Sequence, residues 1–222
     1  MNLPGWLGVI SWSDFKNQQP DLARQGAELL YHFGVGLAFL GTVRTDGGPR
    51  LHPICPLVTE EGLYAFIVPS PKLRDLHRDG RYAMHSYPLE DNEDAFYLSG
   101  AASHVTDSAT RERLARQFAA ERSDQAIPAP GDEQHLFEFH VQVAMLTRTT
   151  GHGDLAPRHT VWRGDRLRAA TADVRRPLTA RRPLTCGESQ SSSPMSIRSH
   201  SSPLARLRWR TRRPSSTKPN FL

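Results

Sequence analysis

Residues 62–79, Gly-Leu-Tyr-Ala-Phe-Ile-Val-Pro-Ser-Pro-Lys-Leu-Arg-Asp-Leu-His-Arg-Asp, set the arrangement of the rest of this chain. They predict a strand at Leu63–Val68, a sharp turn, and a short helix that begins after Ser70. Ser70 stands at the N-cap position, and Pro71 follows at the first helical position, where a missing N–H costs little. A helix start with free N–H groups attracts anions, and Lys72 adds a positive charge beside it. We interpret this corner as a phosphate-binding site; the alternative is an ordinary capped surface helix with a solvated lysine.

The charge of the chain is divided between two regions. Residues 1–165 carry 15 Lys and Arg against 21 Asp and Glu, a net charge of −6, whereas residues 166–222 carry 13 against 2, a net charge of +11. The high pI therefore belongs to the last segment, whose Arg pairs, Ser-rich block and scattered prolines lack any periodicity. Such a composition cannot bury enough apolar surface to offset ordering entropy, so this segment is predicted to be disordered. No specific nucleic-acid partner follows from the overall basic charge.

Cysteine usage and hydropathy indicate the compartment. Cys55 and Cys186 stand far apart and offer neither a disulfide framework nor the spacing of a zinc site. The histidines, including those of residues 152–159, show no metal-ligand spacing. No apolar run approaches the length of a membrane span, and the first residues lack the apolar stretch of a signal peptide. We expect a soluble cytoplasmic protein that has no metal site and does not associate with membranes.

The remaining sequence predicts short antiparallel strands flanked by helices. A helix is expected at Asp14–Leu30, where Asp21 can cap, and the alternating run Phe137–Met145 is typical of a half-buried strand. The other predicted strands are Gly36–Thr45, Arg50–Val58, Leu63–Val68, Arg81–Tyr87, Ala95–Val105 and His159–Arg163, and a further helix is expected after Thr106 or Asp107. Antiparallel strands separated by turn signals favour a small barrel.

Three residues qualify the strand predictions, and composition sets the domain limits. Pro53 and Pro56 fall inside one strand run, so that strand is expected at a sheet edge or with a bulge, and Gly100 predicts a bulge in another strand. The expected organisation is an N-terminal extension at residues 1–12, a barrel domain at 13–165 and a basic tail at 166–222.

Five motifs, taken in this order, resemble the pyridoxamine 5′-phosphate oxidase-like family. They are Gly41–Ile54 (GTVRTDGGPRLHPI), Leu63–Phe66 (LYAF), Ser70–Leu76 (SPKLRDL), Arg81–His85 (RYAMH) and Ser99–Ala102 (SGAA). The resemblance covers about residues 12–163. It implies a mainly β architecture with helices (α+β), namely a six-stranded antiparallel split β-barrel of the FMN-binding type.

The resemblance also implies a function. It implies a homodimer with the flavin FMN bound at the subunit interface and an oxidoreductase activity on a small-molecule substrate. The Ser-x-Lys turn that holds the cofactor phosphate in this family corresponds to Ser70 and Lys72. The other cofactor-binding residues that the resemblance implies are His52, Pro53, Ile54, Phe66, Ile67, Val68, Arg44 and Trp162. Arg44 is equally well explained as a solvated hairpin arginine, and Trp162 is expected to reach the partner's flavin.

Departures from the family pattern leave several functions open. The family's C-terminal Arg-x-His is absent after Trp162, and Leu57 stands near the place of a family lysine, which argues against vitamin B6 phosphates as substrates. Relatives that use a deazaflavin coenzyme share the barrel, so this cofactor is an alternative to FMN. His85 and His104 are candidate proton donors, although a strand histidine is more often structural. A non-catalytic flavin- or haem-binding module and an interaction protein that works through the basic tail are the rival hypotheses.

Overall fold

The computed structural model describes residues 8–125 and 127–164. The chain divides into two units, Met1–Pro177 and Leu178–Leu222, and all described residues belong to the first. The predicted tail at 166–222, including Cys186, and most of the predicted extension at 1–12 lie outside the described residues. No helix in the described part of the chain combines the length and the apolar character that crossing a membrane requires.

Four helices and eight strands make up the described chain. The helices are α1 (Trp12–Gln18), α2 (Pro20–Leu30), α3 (Pro71–Arg78) and α4 (Ser108–Glu121), followed by a 3₁₀ turn at Ser123–Gln125. The strands are β1 (Ala38–Val43), β2 (Pro49–Ile54), β3 (Leu57–Val58), β4 (Leu63–Ile67), β5 (Arg81–Ser86), β6 (Ala95–His104), β7 (His135–Arg148) and β8 (Arg158–Arg163).

The helical prediction for Asp14–Leu30 is wrong in one respect, because the chain forms two helices there. Gln19 leaves the helical region with a φ of −140°, and Pro20 begins the second helix at a position where proline fits. Asp21 lies in the first turn of α2 and does not cap it. The side-chain cap belongs to α1, where Ser11 Oγ accepts a hydrogen bond from the backbone N–H of Asp14.

All eight strands belong to one antiparallel sheet in the order β2-β1-β5-β6-β7-β4-β3, with β8 paired to β7. The sheet has more strands than the seven runs predicted from the sequence pattern and the six that the resemblance implies. Cys55 and Pro56 divide the second predicted run into β2 and β3, and the 14-residue β7 pairs with β4 along its first part and with β8 along its last. The mainly β fold with helices is confirmed.

The connection between β2 and β3 requires the sheet to curl. These strands are the two ends of the hydrogen-bonded path, yet only Cys55 and Pro56 separate them in the chain. A sheet whose first and last strands are joined by two residues must bend until its ends meet, which is the arrangement of a split barrel. The edge position predicted for the proline-containing strand is confirmed, since β2 pairs with β1 alone.

Residues directly opposite each other on neighbouring strands share one face of the sheet. One set crosses six strands and faces the core, and all its members except His52 are buried: His52, Leu40, Met84, Leu98, Ala144 and Trp162. The neighbouring set, which we name the outer row, lies on the opposite face, and none of its members is buried: Pro53, Phe39, His85, Tyr97, Met145 and Val161.

The bulge predicted at Gly100 is confirmed by a shift of register between Ser99 and Gly100 where β6 pairs with β7. The backbones approach closely at this point. A Cβ atom on Gly100 would lie 1.9 Å from the carbonyl oxygen of His140, so any side chain there collides with the opposite strand.

Candidate functional site

The predicted phosphate corner lies between the end of β4 and the start of α3. We name residues Val68–Lys72 the β4–α3 corner. Ser70 is the N-cap as predicted, because its Oγ accepts a hydrogen bond from the N–H of Leu73 at 3.4 Å. The same hydroxyl donates to the carbonyl oxygen of Val68 at 2.8 Å. Ser70 therefore fixes the turn through its side chain.

Lys72 connects this corner to the edge strand β2. Its Nζ donates a hydrogen bond to the carbonyl oxygen of Pro53 at 3.2 Å. Partial burial lowers the pKa of Lys72, and the nearby Cys55 opposes this shift. An ammonium group carries three N–H donors, so Lys72 keeps further donors for another acceptor. The side chain is thus positioned to hold an anion at the start of α3.

His52 contributes a polar atom without a partner. Its Nε2 is buried and forms no hydrogen bond within the described residues. A buried polar group left unpaired costs about 1–3 kcal/mol, which is why such atoms are rare and mark places where an occupant can bind. His52 adjoins Pro53, whose carbonyl Lys72 holds, so the unpaired nitrogen and the ammonium group belong to the same edge of the barrel.

The other residues predicted to line the cofactor site lie in different surroundings. Val68 is 46% exposed at the end of the strand, whereas Ile54 and Ile67 are buried in the core. Phe66 faces α4, where its ring meets Phe118 edge-on at 6.1 Å. Phe66 and Ile67 lie on opposite faces of β4, because alternate residues of a strand point to opposite faces, and their predicted contact with a cofactor stays a prediction.

Neither Arg44 nor Trp162 lies at the β4–α3 corner. Arg44 lies at the exposed β1–β2 turn and pairs with Asp46, with 2.6 Å between Nη2 and Oδ2. This contact agrees with the alternative of a hairpin arginine. Trp162 is only 3% exposed and packs against Phe15 of α1, with 5.1 Å between the ring centroids. Register places Trp162 on the core side of β8, and its predicted place beside a partner's cofactor stays a prediction.

The two candidate proton donors lie in different places. His85 belongs to the outer row, where its Nδ1 lies 2.7 Å from the carbonyl oxygen of Ser86. His104 lies at the end of β6 beside His77 and His135, and His77 belongs to the last turn of α3, which is the turn farthest from Ser70. His104 is therefore separated from the β4–α3 corner.

Asp75 is a residue that the sequence analysis did not identify. Its carboxylate is buried and accepts hydrogen bonds from Arg50 Nε at 2.7 Å, Thr42 Oγ1 at 3.0 Å and Arg78 Nη1 at 3.2 Å. Burial by itself raises the pKa of Asp75, but these three donors outweigh it and hold the pKa below its ordinary value. The network attaches α3 to β1 and β2 and so positions Lys72. The sequence did carry a sign that Asp75 is buried, because it directly precedes Leu76, a residue of the apolar side of the helix.

Two cavities lie elsewhere on the described chain. One of about 600 Å³ is bounded by α1, α2 and the β3–β4 turn, with Trp12, Lys16 and Glu60 in its wall. The other, of about 290 Å³, lies over β1, β2 and β5 and includes Gly41 and Arg81. Neither is lined by Ser70 or Lys72.

No family model and no curated protein sequence matches this chain. Solved structures share its fold. A pyridoxinephosphate oxidase-family protein from Clostridium acetobutylicum, related to general stress protein 26, is 13% identical over 70% of this chain and 98% of its own, with a TM-score of 0.45. An F420 reductase is 18% identical over 53% of this chain and 94% of its own chain, with a TM-score of 0.43. A haem-binding protein from Mycobacterium smegmatis is 15% identical over 65% of this chain, with a TM-score of 0.44; the match spans 59% of that protein.

One of these neighbours carries the pyridoxinephosphate oxidase family in its name, and the curled antiparallel sheet has the split-barrel arrangement that the sequence resemblance implies. The assignment depends on the strand order and the closure of the curled sheet. Identities and scores of this size say nothing about activity, and the neighbours carry different functions in their names.

Proposed function

We propose that this chain binds FMN at the β4–α3 corner and acts as a flavin-dependent oxidoreductase on a small molecule. One observation carries the proposal. The partly buried ammonium group of Lys72 stands at the start of a capped helix and bonds to the Pro53 carbonyl of β2, and the preceding residue, His52, has a buried Nε2 with no partner among the described residues. A cation, a helix start and an unsatisfied polar atom together suit a cofactor with an anionic end and a polar ring.

The proposed roles follow from the position of each group. Lys72 binds the phosphate, with support from the positive end of the α3 dipole. Ser70 holds the turn in shape, and Asp75 keeps α3 against the sheet. The backbone of Pro53 and the imidazole of His52 face the ring system. When bound, FMN supplies the hydride chemistry, while the protein binds and orients it.

A second copy of the chain is the proposed partner. The outer row is mostly apolar, and on the same face Leu51 is 66% exposed while Val161 is 39% exposed. A continuous apolar face of this kind is stabilised when another copy covers it, and most homo-oligomers are symmetric dimers. Such a dimer brings a second chain to the exposed side of β2, next to the proposed cofactor site.

A deazaflavin coenzyme remains the alternative cofactor, and a non-catalytic flavin- or haem-binding module remains the alternative function. No particular contact among the described residues favours either one. Both are therefore included as outcomes of the binding experiment.

Titration of the purified full-length chain with FMN tests the proposal by absorbance and by quenching of flavin fluorescence. We expect saturable binding and an affinity at least about tenfold lower in Lys72→Ala, because a charge-assisted hydrogen bond to phosphate is lost. Lys16→Ala is the matched control, since Lys16 pairs with Glu60 on the surface beside the 600 Å³ cavity. Equal affinities of the two variants would exclude the β4–α3 corner as the phosphate site.

Parallel titrations with the deazaflavin coenzyme and with haem separate the cofactors. Binding of either one without binding of FMN contradicts the FMN assignment. The activity is tested by reducing the FMN-loaded protein chemically and following its reoxidation by small-molecule acceptors. Tight binding of FMN without reoxidation by any acceptor contradicts the oxidoreductase and supports the binding module.

A further inference from the structure

Three histidines from three separate elements meet beyond the C-terminal end of α3. His77 lies in the last turn of α3, His104 ends β6 and His135 begins β7. The ring centroids are 5.0 Å apart in each of the three pairs, and His77 Nε2 lies 3.2 Å from His135 Nδ1. We name these three residues the histidine cluster.

We propose that the histidine cluster binds a divalent transition-metal ion that favours imidazole ligands, such as Zn²⁺. Three imidazoles with a solvent molecule as the fourth ligand form a known kind of tetrahedral zinc coordination. The sequence did not reveal the site, because its ligands are 27 and 31 positions apart along the chain. Strand pairing and the packing of α3 bring them together.

The spacing of the rings fits a single ion. Zinc–nitrogen bonds of about 2.0–2.1 Å at tetrahedral angles place two ligating nitrogens about 3.4 Å apart and two imidazole centroids about 5.2 Å apart. The observed 5.0 Å between centroids is close to the second value, whereas the 3.2 Å contact between His77 Nε2 and His135 Nδ1 is a hydrogen bond that a shared ion would replace. As placed, no group of three or more His, Cys, Asp or Glu side chains in the described residues could hold a metal ion. The change that metal binding requires is a rotation of rings whose centres are already correctly spaced.

The surroundings of the cluster leave it open to an ion. His77 and His104 are exposed and His135 is half-buried, so solvent can reach the rings, while Phe137 packs beneath two of them at 5.1 and 5.5 Å. The ion pairs between histidine and carboxylate in the described residues involve His140 and His152, so none engages the cluster. Arg111 acts electrostatically on His104 and donates to the carbonyl oxygens of Gln134 and Gly131.

Calorimetric titration of the untagged full-length chain with Zn²⁺ tests the proposal, with Co²⁺ as a spectroscopic probe. We expect one ion per chain, with a visible absorption band typical of four-coordinate Co²⁺. His104→Ala and His135→Ala should each weaken Zn²⁺ binding at least about tenfold, because each removes one ligand. His32→Ala is the control: His32 is an exposed histidine that contacts Phe33 outside the cluster.

The outcomes are distinguishable from those of the cofactor experiments, because the cluster does not include the β4–α3 corner. Absence of stoichiometric binding, or binding that both cluster variants retain, overturns the proposal and assigns any affinity to other groups of the chain. Circular dichroism confirms that each variant is folded. His135→Gln, which keeps a polar side chain but lacks the imidazole, must lose Zn²⁺ affinity as His135→Ala does; retention of affinity overturns the site.

Discussion

At the scale of single residues, Asp75 has the most constrained environment of the candidate site. It is 3% exposed and accepts hydrogen bonds from three side chains on two strands and its own helix. Removing one member of a buried charged network leaves the others without compensation, which costs more than the network itself contributes. Asp75 therefore holds α3, and with it Lys72, in place.

Asp75→Asn should lower the free energy of unfolding by about 3 kcal/mol, because Arg50 loses its charged partner in a partly buried setting. Urea denaturation measures the change. Asp132→Asn, in an exposed loop, serves as the control and should change stability by less than about 0.5 kcal/mol. Equal effects of the two substitutions would contradict the structural role of Asp75.

The same residue predicts a dependence on pH. Because the pKa of Asp75 is lower in the folded chain than its ordinary value, its contribution is complete above the unfolded pKa of about 3.9 and is lost as the pH falls through the folded value. The wild-type chain should lose stability below about pH 4 more steeply than Asp75→Asn. Denaturation midpoints measured across this range check the difference, and parallel curves for the two proteins would contradict it.

At the scale of elements, the pairing of β6 with β7 depends on one close approach at Gly100. Gly100→Ala should destabilise the fold by about 2 kcal/mol or more, because its Cβ would collide with the backbone of His140 and the bulge would have to shift. Gly41→Ala is the matched control in another strand, where the nearest atom to the added Cβ is 3.5 Å away. Thermal unfolding compares the two, and a Gly100 variant as stable as the Gly41 variant would contradict the account.

Local patterns explain why most elements could be predicted from the sequence. The cap at Ser70, the alternation in Phe137–Met145 and the glycine at the bulge each act over a few residues. The break at Gln19 was missed because the apolar spacing continues across it, and only Pro20 marked a new start. The faces that Phe66 and Trp162 occupy could not be predicted from a local pattern, because strand register, which fixes the side of each residue, depends on partners distant in the chain.

At the scale of the whole molecule, the outer row predicts self-association. Val161→Asp should shift the chain from dimer to monomer, because it places a charge within the proposed apolar interface, where burial against a second copy would desolvate it. Light scattering coupled to size-exclusion chromatography measures the mass. Leu155→Asp is the control, since Leu155 is 99% exposed in the β7–β8 loop and does not belong to the row. A wild-type monomer, or equal masses for both variants, would exclude this face as the interface.

Only part of the candidate site could be predicted from the sequence. Ser70 and Lys72 are neighbours in the chain, so their joint role could be predicted from a local motif. The contact between Lys72 and Pro53, the network of Asp75 and the histidine cluster each join distant segments. They arise only when the curled sheet brings these segments together.

The short helix α3 has a consequence for how ligands would influence each other. It carries Lys72 in its first turn and His77 in its last, so five residues, or about 7.5 Å of helix axis, separate these two side chains. An ion that orders one end of α3 lowers the entropic cost of ordering the other end. The coupling between the two proposed sites must then be equal in both directions. The factor by which Zn²⁺ changes the affinity for FMN must equal the factor by which FMN changes the affinity for Zn²⁺. An eight-residue helix would then couple ligand binding at the proposed cofactor site to ligand binding at the proposed metal site.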